Sequence, residues 1–218
     1  MSTSALGNQL ADLKEDIKAN APAEVFDTFA TQQETLEAGD RAGFVKAGDK
    51  IEPFTLPDGN GVPVALDQLL ADGPAVIVFY RGGWCPYCNL TLRTYQTELL
   101  PELGKLGARL VAVSPQTPDG SLSTKETNEL SFTVLSDVGN VVARSLGITY
   151  AASDDVRATA EAIGNDLGKV NGTGEWDLPH PTVLVVGRDG IVAFADVHPD
   201  YTTRTEPAAV LAALGELA

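Results

Sequence analysis

The segment Ala75-Val76-Ile77-Val78-Phe79-Tyr80-Arg81-Gly82-Gly83-Trp84-Cys85-Pro86-Tyr87-Cys88 decides how the rest of the chain is read. Its first six residues are uninterrupted apolar or aromatic, the pattern of a strand buried on both faces of a mainly parallel sheet. Arg81-Gly82-Gly83 ends that strand, and Pro86 suits the first turn of a helix, where a missing N–H costs nothing. From Cys88 onward Leu92, Tyr95, Leu99, Leu103 and Leu106 keep helical spacing, with Pro101 expected to kink the run. The cysteine pair therefore stands at a helix N-terminus fed by a buried strand. Free backbone N–H groups at such a place stabilise a thiolate, the form in which cysteine is a nucleophile. The second thiol lies one turn on, close enough to attack a mixed disulfide formed on the first.

Working outward, strands and helices alternate. Phe54 to Leu56 and Val62 to Val64 flank Asp58-Gly59-Asn60-Gly61, a hairpin composition because Gly and Asn tolerate positive φ. Arg109 to Ser114 reads as a second buried strand, followed by a helix beginning near Pro118 and a short strand over Phe132 to Leu135. A helix is expected from about Val138 to Leu146, ended by Gly147, and another over Ser153 to Ile163 with Ser153 as its cap. Gly164 to Leu178 reads as a polar loop carrying Trp176. Thr182 to Gly187 and Ile191 to Val197 form a hairpin about Arg188-Asp189-Gly190, and Pro207 opens a final helix. At the other end Leu6, Leu10, Leu13 and Ile17, then Val25, Phe26, Phe29 and Leu36, mark two amphipathic helices stopped by Gly39. The expected organisation is a helical extension over residues 1–45 and an α/β domain over 46–218. The extension packs on the domain, covers a sheet face, or joins two subunits into a homodimer.

Composition bounds the function. A hydrophobic share of 44% against 21% charged is that of a folded, water-soluble chain. The net charge of −15 repels phosphate backbones and anionic lipid, so neither nucleic acid nor a membrane surface is an expected partner. Residues 1–14 have no basic stretch leading into an apolar run, and a cytoplasmic location is expected. Two cysteines three positions apart cannot staple distant loops, so in a reducing compartment they are reactive or metal-binding.

Phe79-Tyr80-Arg81-Gly82-Gly83-Trp84-Cys85-Pro86-Tyr87-Cys88 resembles the active-site segment of the thioredoxin superfamily, and Cys-Pro-Tyr-Cys matches the dithiol of glutaredoxins. Gly48-Asp49, Phe54-Thr55-Leu56-Pro57, Asn171-Gly172, the Trp176 to Pro179 segment and Arg188-Asp189-Gly190 are similar to peroxiredoxin-like proteins of the alkyl hydroperoxide reductase and thiol-specific antioxidant (AhpC/TSA) group. The resemblance covers about residues 45–200. It implies a thioredoxin-like fold, a central mixed sheet flanked by helices, and reduction of peroxide or disulfide with a thioredoxin- or glutathione-type donor. No cofactor is implied.

Two registers assign the sulfurs differently. Peroxiredoxins carry Pro-x-x-x-Thr-x-x-Cys; aligned on Phe79-Tyr80, this puts Arg81 at the Pro position, Cys85 at the Thr position and Cys88 at the peroxidatic cysteine. The thioredoxin register makes Cys85 the attacking thiol and Cys88 the resolving one. The outer thiol is the one a bulky disulfide reaches, which favours Cys85. The arginine that peroxiredoxins place before the penultimate strand falls on His180, and Arg81 is the nearest cationic substitute for stabilising a thiolate and a peroxide oxygen.

Pro181 resembles the cis-proline that thioredoxins set against their dithiol. If Gly187 pairs with Ile191, register puts His180 opposite His198, both at the dithiol end of the sheet. A histidine there is suited to shuttling a proton, and the two with Cys85 and Cys88 offer Cys2His2 metal-ligand types. Trp84 and Tyr87 flank the thiols as a shield, a partner surface or packing residues, and Trp176 either caps the same cleft or anchors its loop to the core, the anchor being favoured. Three functions follow from these residues: a dithiol peroxidase, a disulfide oxidoreductase without peroxidase activity, and a metal- or partner-binding module.

Overall fold

The computed structural model describes residues 5–217. Helices α1 (Leu6–Asn20) and α2 (Ala23–Glu37) precede a short antiparallel pair, β1 (Thr55–Pro57) and β2 (Pro63–Ala65), and helix α3 (Leu66–Leu70). Strand β3 (Ala75–Phe79) leads into α4 (Pro86–Thr94), a π-helical turn (Tyr95–Leu99) and α5 (Leu100–Lys105). Then come β4 (Arg109–Ser114), α6 (Pro118–Thr127), β5 (Thr133–Ser136), α7 (Val141–Ser145), β6 (Thr149–Ala151), α8 (Asp154–Ala162) and α9 (Leu167–Val170). Strands β7 (Asp177–Pro179), β8 (Thr182–Val186) and β9 (Val192–Val197) and helix α10 (Pro207–Gly215) complete the chain.

The central sheet has the order β5-β4-β3-β8-β9, parallel across β5, β4 and β3 and antiparallel across β8 and β9. Strand β3 sits at its centre, which explains its continuous apolar run. Val76 and Val78 join one core with Leu6, Leu10, Leu92, Leu99 and Val210, from α1, α4, the π-turn and α10. Ala75, Ile77 and Phe79 face the other way, onto Leu66, Leu69 and Leu70 of α3 and Val142 and Ala143 of α7. Period-two alternation thus feeds two helical layers from one strand. Each fully buried leucine in these layers contributes about 1.5–3 kcal/mol relative to exposure.

Several local expectations shift for identifiable reasons. Helix α7 starts at Val141 rather than near Val138, because Asn140 adopts φ 54 and the Asp137 carboxylate accepts from the N–H groups of Val142 (3.1 Å) and Ala143 (2.9 Å). The loop after α8 carries α9, with Asp166 accepting from the Lys169 N–H, and β7, which pairs with β6. The kink expected at Pro101 appears as the π-turn before it, where Leu100 N–H reaches back to the Tyr95 carbonyl. Helix α8 is capped by Ser153 as expected, its Oγ accepting from the Val156 N–H at 3.2 Å.

The first two helices are tied down at both ends. The Glu206 carboxylate accepts from the N–H groups of Leu6 (3.1 Å) and Gly7 (2.7 Å) at the start of α1, a favourable place for negative charge. On α2, Gln32 donates to the Ala151 carbonyl at 3.0 Å and accepts from the Ser153 N–H at 3.2 Å. No helix among the described residues is long and apolar enough to cross a membrane.

Candidate active site

Strand β3 delivers Tyr80 and Arg81 to a two-glycine turn, and the cysteines follow at the N-cap and in the first turn of α4. The turn tolerates no side chains. A Cβ on Gly82 would stand 2.4 Å from the Trp84 indole nitrogen, and one on Gly83 would stand 2.3 Å from Thr124 Oγ1. Gly83 donates its N–H to Gln116 Oε1 at 2.6 Å and accepts from Asn89 Nδ2 at 2.7 Å, so the loop between β4 and α6 and the first turns of α4 pin it. Cys85 has the extended backbone of an N-cap residue (φ −88, ψ 115), and Pro86 occupies the first helical position.

Both cysteines are free thiols with 0% exposure. Each sulfur meets a guanidinium: Arg81 Nη1 lies 3.7 Å from Cys85 Sγ, and Arg204 Nη2 lies 3.1 Å from Cys88 Sγ. Burial alone raises the Cys85 thiol, but hydrogen bonding from Cys88 and the charges of Arg81 and Arg204 outweigh it and hold Cys85 well below the usual thiol range. Cys88 goes the other way, pushed well above that range by burial, by the hydrogen bond it gives Cys85 and by the negative charge on Cys85. The two shifts oppose each other, favouring negative charge on Cys85 and the proton on Cys88.

Arg81 is almost wholly buried, and among the described residues it has no carboxylate partner. Its guanidinium lies over the rings of Tyr201 (4.0 Å) and Trp84 (4.8 Å). Burial opposes its charge, while Tyr150, Cys85 and Tyr201 favour it. The Cys85 thiolate is the counter-charge that makes a buried arginine tolerable here. Arg204 is held by the carbonyls of Tyr201 (2.5 Å) and Thr203 (2.6 Å), and the adjacent Thr205 carbonyl accepts from the Tyr95 hydroxyl at 2.6 Å. The π-turn thus anchors the loop that carries Arg204. Sequence reading missed Arg204, although it is the only Lys or Arg after Arg188.

Of the residues singled out from sequence, Arg81, Trp84, Pro86 and Tyr87 surround Cys85 around one cavity, and Tyr87 meets Tyr201 edge-on at 6.2 Å. The histidines do not converge on the sulfurs as expected. A bulge between Val185 and Val186 shifts the β8/β9 register by one, and His198 N–H bonds the Pro181 carbonyl at 2.9 Å. His198 instead hydrogen-bonds Thr203, Asp196 and Thr205. His180 lies against Tyr150 (4.7 Å) and Phe44 (5.3 Å), and burial followed by the charges of Arg81 and Arg41 lowers it to about 4. It is neutral at pH 7, and its buried Nδ1 has no hydrogen-bond partner among the described residues. Among the described residues no three His, Cys, Asp or Glu side chains come together as metal ligands, so the Cys2His2 set is not assembled. Pro181 follows a trans peptide bond, since none among the described residues is cis. Trp176 packs with Leu167, Leu178 and Ala160 and anchors its loop.

The cavity beside Cys85 has a volume of about 280 Å³ and is roofed by α1 and α2. Cys85 lines it and Cys88 does not. Ile17 comes from α1, Phe26 and Phe29 from α2, and Arg81, Trp84 and Tyr201 from the domain beneath.

Comparison with known proteins gives a consistent picture. The profile of the AhpC/TSA family matches residues 47–195. A putative peroxiredoxin of Mycobacterium tuberculosis is 31% identical over 104 residues, which cover 48% of this chain and 67% of the relative. The chloroplastic peroxiredoxin Q of Sedum lineare is likewise 31% identical over 104 residues, covering 55% of its length. Among solved structures, peroxidoxin BcpB from Mycobacterium tuberculosis superposes with a TM-score of 0.63 at 23% identity, covering 80% of this chain and 99% of that one. A peroxiredoxin-like protein from Aquifex aeolicus gives the same TM-score at 16% identity. The fold is therefore thioredoxin-like, in its peroxiredoxin variety.

Proposed function

The chain belongs to the AhpC/TSA family, and from that premise we propose a thiol-dependent peroxidase in which Cys85 attacks and Cys88 resolves. One observation carries the assignment: Cys85, not Cys88, lines the cavity, with the Arg81 guanidinium 3.7 Å from its sulfur. With the sulfur at 0% exposure, the reading requires the flanking Arg81 and Trp84 side chains to shift before a peroxide reaches it.

The thiolate forms an S–O bond with the terminal peroxide oxygen as the O–O bond breaks, leaving a sulfenic acid on Cys85 and a hydroxide or alkoxide. Arg81 stabilises the charge developing on the departing oxygen. The leaving oxygen takes the Cys88 proton, and the Cys88 thiolate formed beside Arg204 attacks the sulfenic sulfur. A disulfide forms and hydroxide leaves, to be protonated to water. Two thiols of an external thioredoxin- or glutathione-type donor then reduce the disulfide by exchange and are oxidised in turn. This cycle suits a reducing compartment such as the cytoplasm. The burial of both sulfurs under α1 and α2 speaks against a role centred on bulky protein disulfides.

The test is peroxide consumption by pure protein with thioredoxin, thioredoxin reductase and NADPH. Turnover no greater than that of the Cys85→Ser/Cys88→Ser double variant overturns the peroxidase reading. Mass spectrometry after brief peroxide exposure tests the roles: sulfenic acid is expected on Cys85 of the Cys88→Ser protein. Its appearance only on Cys88 of the Cys85→Ser protein reverses the assignment.

A further inference from the structure

Arg81 is a buried cation kept without an acid. The chain has 30 Asp and Glu against 15 Lys and Arg, yet no carboxylate among the described residues pairs with it, and its Nε has no hydrogen-bond partner there. Both acids of the loop after β9 are occupied elsewhere. Asp200 accepts from the Thr202 N–H at 2.8 Å and from the Thr202 hydroxyl at 2.7 Å, and Glu206 accepts from the start of α1.

Ring faces meet the guanidinium instead, that of Tyr201 at 4.0 Å and that of Trp84 at 4.8 Å. A π face attracts a guanidinium and leaves its charge uncancelled. A carboxylate in the same place would neutralise it, and the Cys85 sulfur would gain little from a cation already paired. Tyr201 is the closer ring, and it is fixed on three sides. Its hydroxyl donates to the Phe29 carbonyl at 3.4 Å, its carbonyl accepts from Arg204 Nη1 at 2.5 Å, and its ring meets Tyr87 edge-on at 6.2 Å. The arginine beside Cys88 thus anchors the residue whose ring holds the arginine beside Cys85.

We propose that Tyr201 is a positioning residue for Arg81: its ring takes the place of a carboxylate partner and aims an uncompensated guanidinium at the Cys85 sulfur. The ring is the acting group, since the hydroxyl is turned to the Phe29 carbonyl of α2. In the peroxidase step, on which this part of the inference rests, negative charge passes from the sulfur to the departing oxygen. The attraction of a ring does not depend on the charge of the sulfur, so Arg81 keeps its place throughout that transfer.

The experiment follows ionisation of Cys85 by ultraviolet thiolate absorbance against pH, as the difference between the reduced full-length protein and its Cys85→Ser counterpart. Besides Arg81, the titratable or charged groups that face Cys85 are Cys88 and Tyr87 on α4, Arg204 and Tyr201 in the loop after β9, Tyr150 on β6, and Lys14 on α1 across the cavity. Helix α2 brings no titratable side chain to that wall. Only Tyr201 changes in the variants. Tyr201→Leu should move the midpoint upward by about one pH unit, because a less well-aimed cation favours the thiolate less. Tyr201→Phe should restore the native midpoint. Difluoro- and then trifluorophenylalanine at this position should raise it in steps, since fluorine draws charge from the ring face while nearly keeping its size. In an Arg81→Gln background Tyr201→Leu should move nothing further. An unmoved midpoint in Tyr201→Leu or a flat fluorine series overturns the inference, as does a shift in Tyr201→Phe equal to that in Tyr201→Leu. Where Tyr201→Leu unfolds the protein, the fluorine series decides alone. The measurement consumes no peroxide. A moved midpoint in a protein without peroxide turnover removes the peroxidase reading and keeps the positioning role, and turnover with an unmoved midpoint does the reverse.

Discussion

Cys85 and Cys88 are one helical turn apart, equally buried and each beside a guanidinium, yet their surroundings drive them in opposite directions. The closer arginine contact belongs to Cys88, at 3.1 Å against 3.7 Å, but Cys88 is the sulfur that keeps its proton. Proximity of a cation is therefore not what separates them. The N-cap sulfur receives a hydrogen bond from the sulfur below it, and this separates two nearly equal sites in the way the proposed roles of nucleophile and proton donor require. In the proposed cycle Arg204, 3.1 Å from Cys88, serves the later step in which that sulfur becomes a thiolate.

Removing either sulfur tests this contrast most severely. Cys85→Ser should cost at least about a thousandfold in peroxide reactivity, as loss of a nucleophile does. Cys88→Ser should leave the first oxidation measurable by stopped flow while abolishing disulfide formation, and equal losses in both variants would erase the distinction between the sulfurs.

Next in size is Arg81→Gln, expected to lower the oxidation rate constant roughly 100-fold, the usual effect of losing one preorganised donor at a developing charge. Its pH profile carries the sign. In the native protein Cys85 lies below the ordinary thiol value of about 8.5, so the rate should stay flat through neutrality and fall only as pH drops through the depressed value. Without the guanidinium that fall should begin at higher pH. An unmoved profile would show that Cys88, Arg204 and the helix terminus hold the thiolate without Arg81.

Arg204→Gln is expected to slow disulfide formation about tenfold, the worth of one charge-assisted hydrogen bond, with little change in the first oxidation. Single-turnover kinetics resolve the two steps. Smaller still, Tyr95→Phe removes the hydroxyl that holds the Thr205 carbonyl and should cost about 1 kcal/mol in denaturant unfolding, with a few-fold slowing of the same second step. The two variants should fail to add if Tyr95 acts through Arg204.

What was legible in the sequence follows from range. The buried strand, the glycine turn and the helix start are written within residues 75–88, where apolar continuity, Gly82-Gly83 and Pro86 each dictate local backbone. Arg81 was found because it lies four positions from the sulfur it serves. Arg204 was not, because 116 residues separate it from Cys88 and only the sheet and the loop after β9 bring them together. His180 and His198 were expected to face each other by counting back from the hairpin turn. One extra residue in β9 defeats that count, and no residue type in Val192 to Val197 announces it. The expectation of a cis-proline wall failed likewise: the prolyl bond is trans, and the ring of His180 lies against Tyr150 and Phe44.

Roofing the dithiol with α1 and α2 has a consequence for the half of the cycle that restores it. A folded donor as large as the enzyme meets no sulfur while Leu6 and Leu10 keep α1 seated in the core. If regeneration by such a donor requires those helices to lift, its velocity should level off at the frequency of lifting however much donor is supplied. A small thiol, which needs no more room than a peroxide, should show no such plateau.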